Sequence, residues 1–558
     1  MTDLKTLKAF HRDPAKDNRQ VEAIRTVVQA GDIARAVKLA CAALDTGLIH
    51  PMLLHLRAHG HDVAGRFADA LSDLRIAFQI APGDIYVRNA FGLLLARLGY
   101  LKEAGPILAE TAAMAPGFAA AHYSLGWFQA FTGDVEAARR SFEATIALHP
   151  DMPEALAHLA SLASDQADWP ATERFATRAL AIRPNQPVAL TARAAAATAQ
   201  GHLDDAEAAL APLGDLSALP PLEAARALTT MGDLRHAQGR YKEAFEIYAA
   251  RNHDIFQRAA PRYDLAGHTA TDHVHRLRAY FSGLPDSGWH KTQDTAAARG
   301  PVRTHVFLVG FPRSGTTLAE SALAAHPNVA VMDEREALAA AVAEYLVDET
   351  GPARLAGAPL EDLETHRARY WENVRSFGVD ADAKVFVDKY PLNTTKLPLI
   401  ARLFPQARIL FAWRDPRDVV FSCFRRSFAL NPAMFEFLDL RRAALFYDAV
   451  MALASDYDRV LDQAIYALRY ESLVTDFDGE MSRVCAFLDL PFDDRIRDFA
   501  ALAQSRAIRT PSGAQVSRGL YSHGRDQWRN YAQALEPVMP ILAPWAERLG
   551  YQPAGSAA

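Results

Sequence analysis

Along the first 260 residues one pattern of small, apolar and polar positions recurs in phase. A small residue, followed by an apolar or aromatic position and then an Ala, stands at Gly31, Gly65, Gly99, Gly133, Ala167 and Gly201, each 34 residues after the last, and again at Gly239 after 38. Five residues beyond the markers lie Ala36, Ala70, Ala104, Ala138, Ala206 and Ala244, with Thr172 the exception. Pro82, Pro116, Pro150 and Pro184 follow their markers by 17 residues. The phase has a physical cause. The marker ends one helix in a conformation that tolerates little side chain, the Ala lets the next helix approach closely, and the Pro punctuates its exit. Gly92 and Gly126 stand where the first helix of a pair needs a small contact residue. The pattern predicts a stack of helix pairs.

The pattern then changes. Residues 261–300 lose the phase and mix one helical stretch, around 271–281, with Gly, Pro and Asp breaks, as a connector does. Beyond them come short apolar runs: HVFLVG (305–310), VAVM (329–332), KVFVD (384–388), RILFAW (408–413) and IYALR (465–469). Runs of that length, rich in β-branched and aromatic side chains, read as buried strands. The predicted architecture is an α-helical repeat solenoid over 1–260, a connector over 261–300, and an α/β domain over 301–558 built on a central parallel sheet.

Composition narrows the function. A chain of 558 residues is too long for one core. A net charge of −6 offers no global attraction to nucleic acid or an anionic membrane, so a polyanion site must be a local cluster of Arg and Lys. The cysteines, Cys41, Cys423 and Cys485, show neither metal-ligand spacing nor a paired framework, which suits a reducing compartment. The first residues lack the apolar core of a signal peptide, and no run of membrane-spanning length occurs. The expectation is a cytoplasmic protein with no membrane, nucleic-acid or metal partner.

The first strand runs into Gly310-Phe-Pro-Arg-Ser-Gly315-Thr316-Thr317, and a helical segment follows. Strand, Gly-bounded loop and helix make a phosphate cradle, because loop N–H groups and the helix dipole both point at an anion. The spacing is that of a nucleoside-triphosphate loop, except that Thr316 stands where that loop needs Lys. Arg313 supplies positive charge instead. A second candidate follows RILFAW: Arg414 at the strand's end, Asp415 as a helix cap, Pro416 in the first turn, and Ser422 two turns on. Arg grips phosphate through a fork of donors and Ser adds a hydroxyl. The plainer alternative there is an ordinary capped helix with surface arginines. Two anion sites at the carboxyl ends of two strands suit a nucleotide with separated phosphates.

The first half resembles the tetratricopeptide repeat over about residues 15–255. That resemblance implies a concave surface for a protein or peptide; a stack that only supports the second domain is the alternative. PRSGTTL (312–318) is the signature of the sulfotransferase phosphosulfate loop, and from about 301 to 550 the chain resembles bacterial tetratricopeptide-repeat sulfotransferases and protein-tyrosine sulfotransferases. The resemblance implies a P-loop-like fold and PAPS (3′-phosphoadenosine 5′-phosphosulfate) as co-substrate, without metal. Pro312, Arg313, Ser314, Gly315, Thr316 and Thr317 would cradle the phosphosulfate, and Arg414 with Ser422 the 3′-phosphate. Glu334, 21 residues beyond Arg313, would be the general base, with Asp333 and Glu336 as the other fitting carboxylates. Their alternative role is to cap a helix beginning near Arg335. Lys389 would reach the donor phosphosulfate, and Ser512 in TPSGAQV would contact the nucleotide. Gln527, before Trp528, departs from the family's basic residue, for which Arg525 or Arg529 could substitute. His326, in an HP turn, and Tyr470, in YESL, are read as structural.

The implied reaction moves a sulfuryl group from PAPS to a hydroxyl, protein tyrosine among the candidates, with a protein acceptor held in the repeat groove. The rival readings are a repeat scaffold with an inactive nucleotide-binding domain and a P-loop nucleotide kinase. The sequence leaves the acceptor and the oligomeric state open.

Overall fold

In the computed structural model, residues 14–289, 300–382, 384–501 and 524–552 are described. The chain divides into two compact units, one of Met1–Leu162 with Arg174–Ala189, the other of Ala163–Glu173 with Leu190–Ala558.

Among its described residues the first unit is built of helices and the short turns between them. Ile33–Asp45 is followed by Pro51–Val63, Phe67–Ile80, Ile85–Arg97, Leu101–Met114, Ala119–Phe131 and Val135–Leu148, each 13 or 14 residues long. The repeat markers end helices as the sequence requires: Gly31, Gly65, Gly99 and Gly133 have φ between +73° and +86°. Gly31 N–H donates to the carbonyl of Val28, and Asp32 N–H to that of Val27, the two bonds that close a helix on a left-handed residue. The Ala series is fully buried at Ala36, Ala70, Ala104 and Ala138. A methyl on Gly126 would sit 2.9 Å from the Phe142 ring, so the close helix approach needs the glycine.

The repeat continues through Pro187–Gln200, which belongs to the second unit from Leu190 on, and then Leu203–Leu210, Pro221–Ala237 and Tyr241–Tyr263. Ala167, the one non-glycine marker, adopts φ +59°. The last repeat helix is 23 residues long, and its extra turns are used for packing. Phe245 stacks on Phe424, and Phe256 on Phe435. Buried Arg251 and Asn252 both donate to the carbonyl oxygen of Phe424, at 3.1 and 2.8 Å. The connector helix, Ala270–Phe281, starts at a capping box of Thr269 and Asp272.

Five strands form a wholly parallel sheet: β1 (Thr304–Gly310), β2 (Val329–Asp333), β3 (Val385–Lys389), β4 (Arg408–Trp413) and β5 (Ala464–Arg469), in the order β2-β3-β1-β4-β5. All five match the predicted apolar runs. Both faces are covered. Val306, Leu308, Val385, Val387 and Leu410 face one apolar cluster, and Phe307, Val309, Phe386 and Ile409 the other. Burial on both faces is why β1, β3 and β4 read as unbroken apolar runs rather than as alternation, whereas the edge strands β2 and β5 are partly exposed. Ala244 and Tyr248 of the last repeat helix belong to the same cluster as Phe307 and Trp528.

The register places the chemistry. Asp333 and Leu308 both pair with Lys389, and Gly310 pairs with Ala412. The segments leaving β1, β2, β3, β4 and β5 therefore start from one sheet edge, the carboxyl one, where ligands bind in open parallel sheets. Among the described residues no helix is long and apolar enough to cross a membrane.

Candidate active site

The loop after β1 is held in a conformation few residues accept. Arg313 has φ +71° and Gly315 φ +97°. A side chain on Gly315 would also collide with the Tyr470 ring. The helix Thr316–Ala324 begins directly after it. Ser314, Thr316 and Thr317 are buried, so the loop's polar side chains turn inward. A left-handed arginine costs about 1–2 kcal/mol, a strain that persists where the surroundings fix it.

Arg313 reaches the second anion motif. Its Nε donates to Ser422 Oγ at 2.9 Å. Ser422 lies on the helix Pro416–Arg425, which Asp415 caps by accepting from Arg417 N–H at 2.9 Å, as expected from Asp-Pro at a helix start. Arg414, at the end of β4, donates to the carbonyls of Arg313 and Gly524, and its guanidinium lies 4.6 Å from the Tyr470 ring centre. Its Nε is buried without a hydrogen-bond partner among the described residues. Asp418 lies 3.7 Å from Arg414 and accepts from the N–H groups of Asp526 and Trp528, at 2.9 and 2.8 Å. Burial pushes its carboxyl up to about 6, against the pull of Arg414.

One cavity gathers these groups. Its wall is Arg313, Arg414, Ser422, Arg425, Arg426, Tyr470, Gly524 and Gln527. Burial first, and then the Arg426 and Arg414 charges, press the Arg313 guanidinium down to about 9. An anion beside Arg313 would relieve the repulsion from Arg414 and Arg426, and a wall carrying four guanidiniums suits a phosphorylated one.

A second polar cluster lies at the ends of β2 and β3. The Lys389 ammonium, fully buried, is 2.9 Å from Glu334 Oε1, 2.5 Å from Asp333 Oδ1 and 3.1 Å from Glu320 Oε2. Burial alone would lower the Lys389 ammonium; Glu320, Glu334 and Asp333 outweigh it and hold it above the usual range. Burial raises Glu320 to about 7, against the pull of Lys389. Glu334 has φ +45°, and its side chain is 36% exposed against 22% for Asp333. Glu336 is taken up by Lys396 at 2.6 Å. The next helix starts at Ala339 rather than near Arg335, and Asp333 and Glu334 pair with Lys389.

The structure thus brings Arg313, Arg414 and Ser422 into one cavity and gathers Glu334, Asp333 and Lys389 into another cluster. The sequence reading gave Lys389 to the donor; its ammonium lies among three carboxylates. Ser512 lies outside the described residues. His326 is locked in place: Asn328 N–H donates to its Nδ1, so Nε2 carries the proton and donates to the Pro491 carbonyl at 3.1 Å. Sequence reasoning missed Glu320, Arg425, Arg426 and the place of Tyr470 in the cavity wall. The Arg425-Arg426 pair ending the second motif's helix was the available signal. Gln527 lines the cavity 3.5 Å from Arg425, whereas Arg529 pairs with Asp526.

Residues 305–494 match the family model of the sulfotransferase family. An uncharacterized protein of Aquifex aeolicus is 29% identical over 43% of this chain and 32% of its own length. The chain therefore spans about a third of that relative. Protein-tyrosine sulfotransferase A of Caenorhabditis elegans is 26% identical over 52% of this chain and 81% of its own length. A tetratricopeptide repeat protein from Parabacteroides merdae, a solved structure, is 18% identical over 42% of this chain and 91% of its own, with a TM-score of 0.32. The C-terminal half carries a sulfotransferase-family domain, and the N-terminal half is a helical repeat array.

Proposed function

We propose that the chain transfers a sulfuryl group from PAPS to a hydroxyl acceptor, with protein tyrosine the leading candidate. The observation that carries the reading is the arginine-walled cavity around Ser422, reached by Arg313 from a loop that has Thr316 in place of a nucleotide-binding lysine. A donor with a 3′-phosphate and a 5′-phosphosulfate needs cations at both ends; a nucleoside triphosphate does not. The family match over 305–494 supports sulfuryl transfer, and the tyrosine-sulfating relative supports that acceptor class.

In this reading Pro312, Arg313, Ser314, Gly315, Thr316 and Thr317 hold the phosphosulfate, Arg414 and Ser422 the 3′-phosphate, and Ser512 the nucleotide. Glu334 takes the acceptor's proton while the acceptor oxygen bonds to sulfur. The S–O bond to the 5′-phosphate breaks, and its electron pair leaves on the phosphate oxygen. Catalysis of such a loose transfer is mostly alignment and charge stabilisation. Arg313 neutralises the departing phosphate, and Lys389 keeps its charge beside Glu334. The repeat array would present a protein acceptor.

A thermal-shift comparison tests the donor. The product PAP (adenosine 3′,5′-bisphosphate) should raise the melting temperature in EDTA, since any ligand of the native state stabilises it. Stabilisation by ATP with magnesium and not by PAP would favour the kinase.

A further inference from the structure

We infer that Asp233, on the last repeat hairpin, is a positioning residue of the arginine-walled cavity, holding Arg425 and Arg426 in place for a donor phosphate. The inference rests on the donor reading above. It makes the last repeat part of the donor site rather than of acceptor capture alone.

The geometry is specific. Asp233 Oδ1 accepts from Arg425 Nε at 3.1 Å and Nη2 at 2.7 Å, and Asp233 Oδ2 from Arg426 Nη1 at 3.3 Å. Tyr248, from the second helix of the same hairpin, donates its hydroxyl to Oδ1 at 2.6 Å. Burial would raise the Asp233 carboxyl, but Arg425, Arg426 and the Tyr248 hydrogen bond hold it well below the usual carboxylate range. One edge of the Arg425 guanidinium is thus spent on Asp233. The remaining nitrogen, Nη1, points to Gln527 in the cavity wall, 3.5 Å away. A planar fork fixed along one edge presents the other in a set direction.

The repeat itself does not ask for an acid here. Six residues before the other markers stand Arg25, His59, Leu93, Trp127, Ser161 and Ala195. The carboxylate answers to the arginines. The hairpin is also braced against this region by His236, whose Nδ1 is 2.7 Å from the Tyr531 hydroxyl, and by the Tyr531 ring on Phe421 at 4.0 Å.

Two effects of removing Asp233 differ in sign. Losing its charge makes the cavity more positive and tightens PAP, the more highly charged anion, at least as much as the monophosphate. Losing its alignment weakens only the ligand whose phosphate needs Arg425 and Arg426. Calorimetric titration of the full chain with PAP and with adenosine 5′-monophosphate, which lacks the 3′-phosphate, separates them. In Asp233→Asn the preference for PAP over the monophosphate should fall by about tenfold, the lower end of a charge-assisted contact, and Asp233→Glu should recover most of it. Because Asp233→Asn leaves arginines without their counter-ion, the double variant Asp233→Asn/Arg425→Gln, which keeps the local charge balance, should lose the preference too. An unchanged preference, or an equal change for both ligands, overturns the inference while the donor reading stands. A wild-type chain with no preference for PAP overturns the donor reading, and this inference with it.

Discussion

The ammonium of Lys389 stands 2.9 Å from Oε1 of Glu334, and the N–H of Glu334 donates to the Lys389 carbonyl oxygen at 2.8 Å. The pair is joined twice, through side chains and through backbone. β2 and β3 are neighbours in register up to Asp333 and Lys389, so the contact extends the sheet by one residue and aims the carboxylate from its carboxyl edge. Glu334 is the most open of the three carboxylates around Lys389.

Glu334→Gln should keep PAP affinity and lose about 10²–10⁴ in turnover, the usual cost of removing a general base. Asp333→Asn, at the less exposed carboxylate, should be much milder. Single-turnover sulfation at saturating PAPS reads both. A near-normal rate for Glu334→Gln beside a collapsed Asp333→Asn would move the role to Asp333.

Lys389→Met should be strongly destabilising. It leaves Glu320, Asp333 and Glu334 crowded without their cation, and breaking a buried pair by removing one partner costs about 3–5 kcal/mol. Urea unfolding measures it. A loss below about 1 kcal/mol would mean the carboxylates are solvated well enough not to need the lysine.

The stability that three buried carboxyls contribute should fall as pH rises from about 4.5 to 7, while His236, His273 and His305, lowered by burial to about 4, 4 and 3, act with the opposite sign below about 6.5. Burial raises Glu320 to about 7, Asp388 to about 7 and Asp418 to about 6. Each group's folded value lies above its unfolded one. At these carboxyls the native state therefore binds more protons than the unfolded chain across that window, and the stability each contributes is complete below the unfolded value and lost through the folded one. Urea midpoints of wild type and Glu320→Gln at pH 5 and pH 8 isolate one carboxyl: the stability difference, wild type minus variant, should be smaller at pH 8 than at pH 5, and a difference that grows with pH would contradict it.

Arg414→Ala should weaken PAP by about ten- to a hundredfold, and adenosine 5′-phosphosulfate, which lacks the 3′-phosphate, much less. Equal losses would place Arg414 on another part of the donor.

A fragment beginning at residue 262 should fold poorly, although every predicted nucleotide motif lies beyond residue 300. The cut removes Tyr248 and Ala244 from the cluster they share with Phe307. It also removes the side chains of Arg251 and Asn252 that satisfy the Phe424 carbonyl. Circular dichroism and PAP titration of the fragment test this; a folded fragment with full affinity would contradict it.

The repeat phase and all five strands were legible because each rests on a local rule. Left-handed markers favour glycine, close helix contacts favour alanine, and strands covered on both faces, as β1, β3 and β4 are, read as unbroken apolar runs. The loop around Arg313 was legible for the same reason. Asp233 was not: its meaning comes from Arg425, 192 residues away, and no local pattern joins them. Lys389 was found, but its enclosure depends on Glu320, which reads from sequence as one more acid on a helix. Tyr470 looked like a turn residue because its contacts, Gly315 and Arg414, come from two other strand ends.

Sulfuryl transfer from PAPS is read out by a sulfur-labelled donor. The purified full chain, in EDTA, is incubated with labelled PAPS and host-cell lysate, and the lysate is then separated into protein, lipid and small molecules. Label should enter an acceptor with stoichiometric release of PAP, and both should be lost in Glu334→Gln. PAP binding without transfer of label to any fraction would contradict sulfuryl transfer and leave a repeat scaffold with an inactive nucleotide-binding domain.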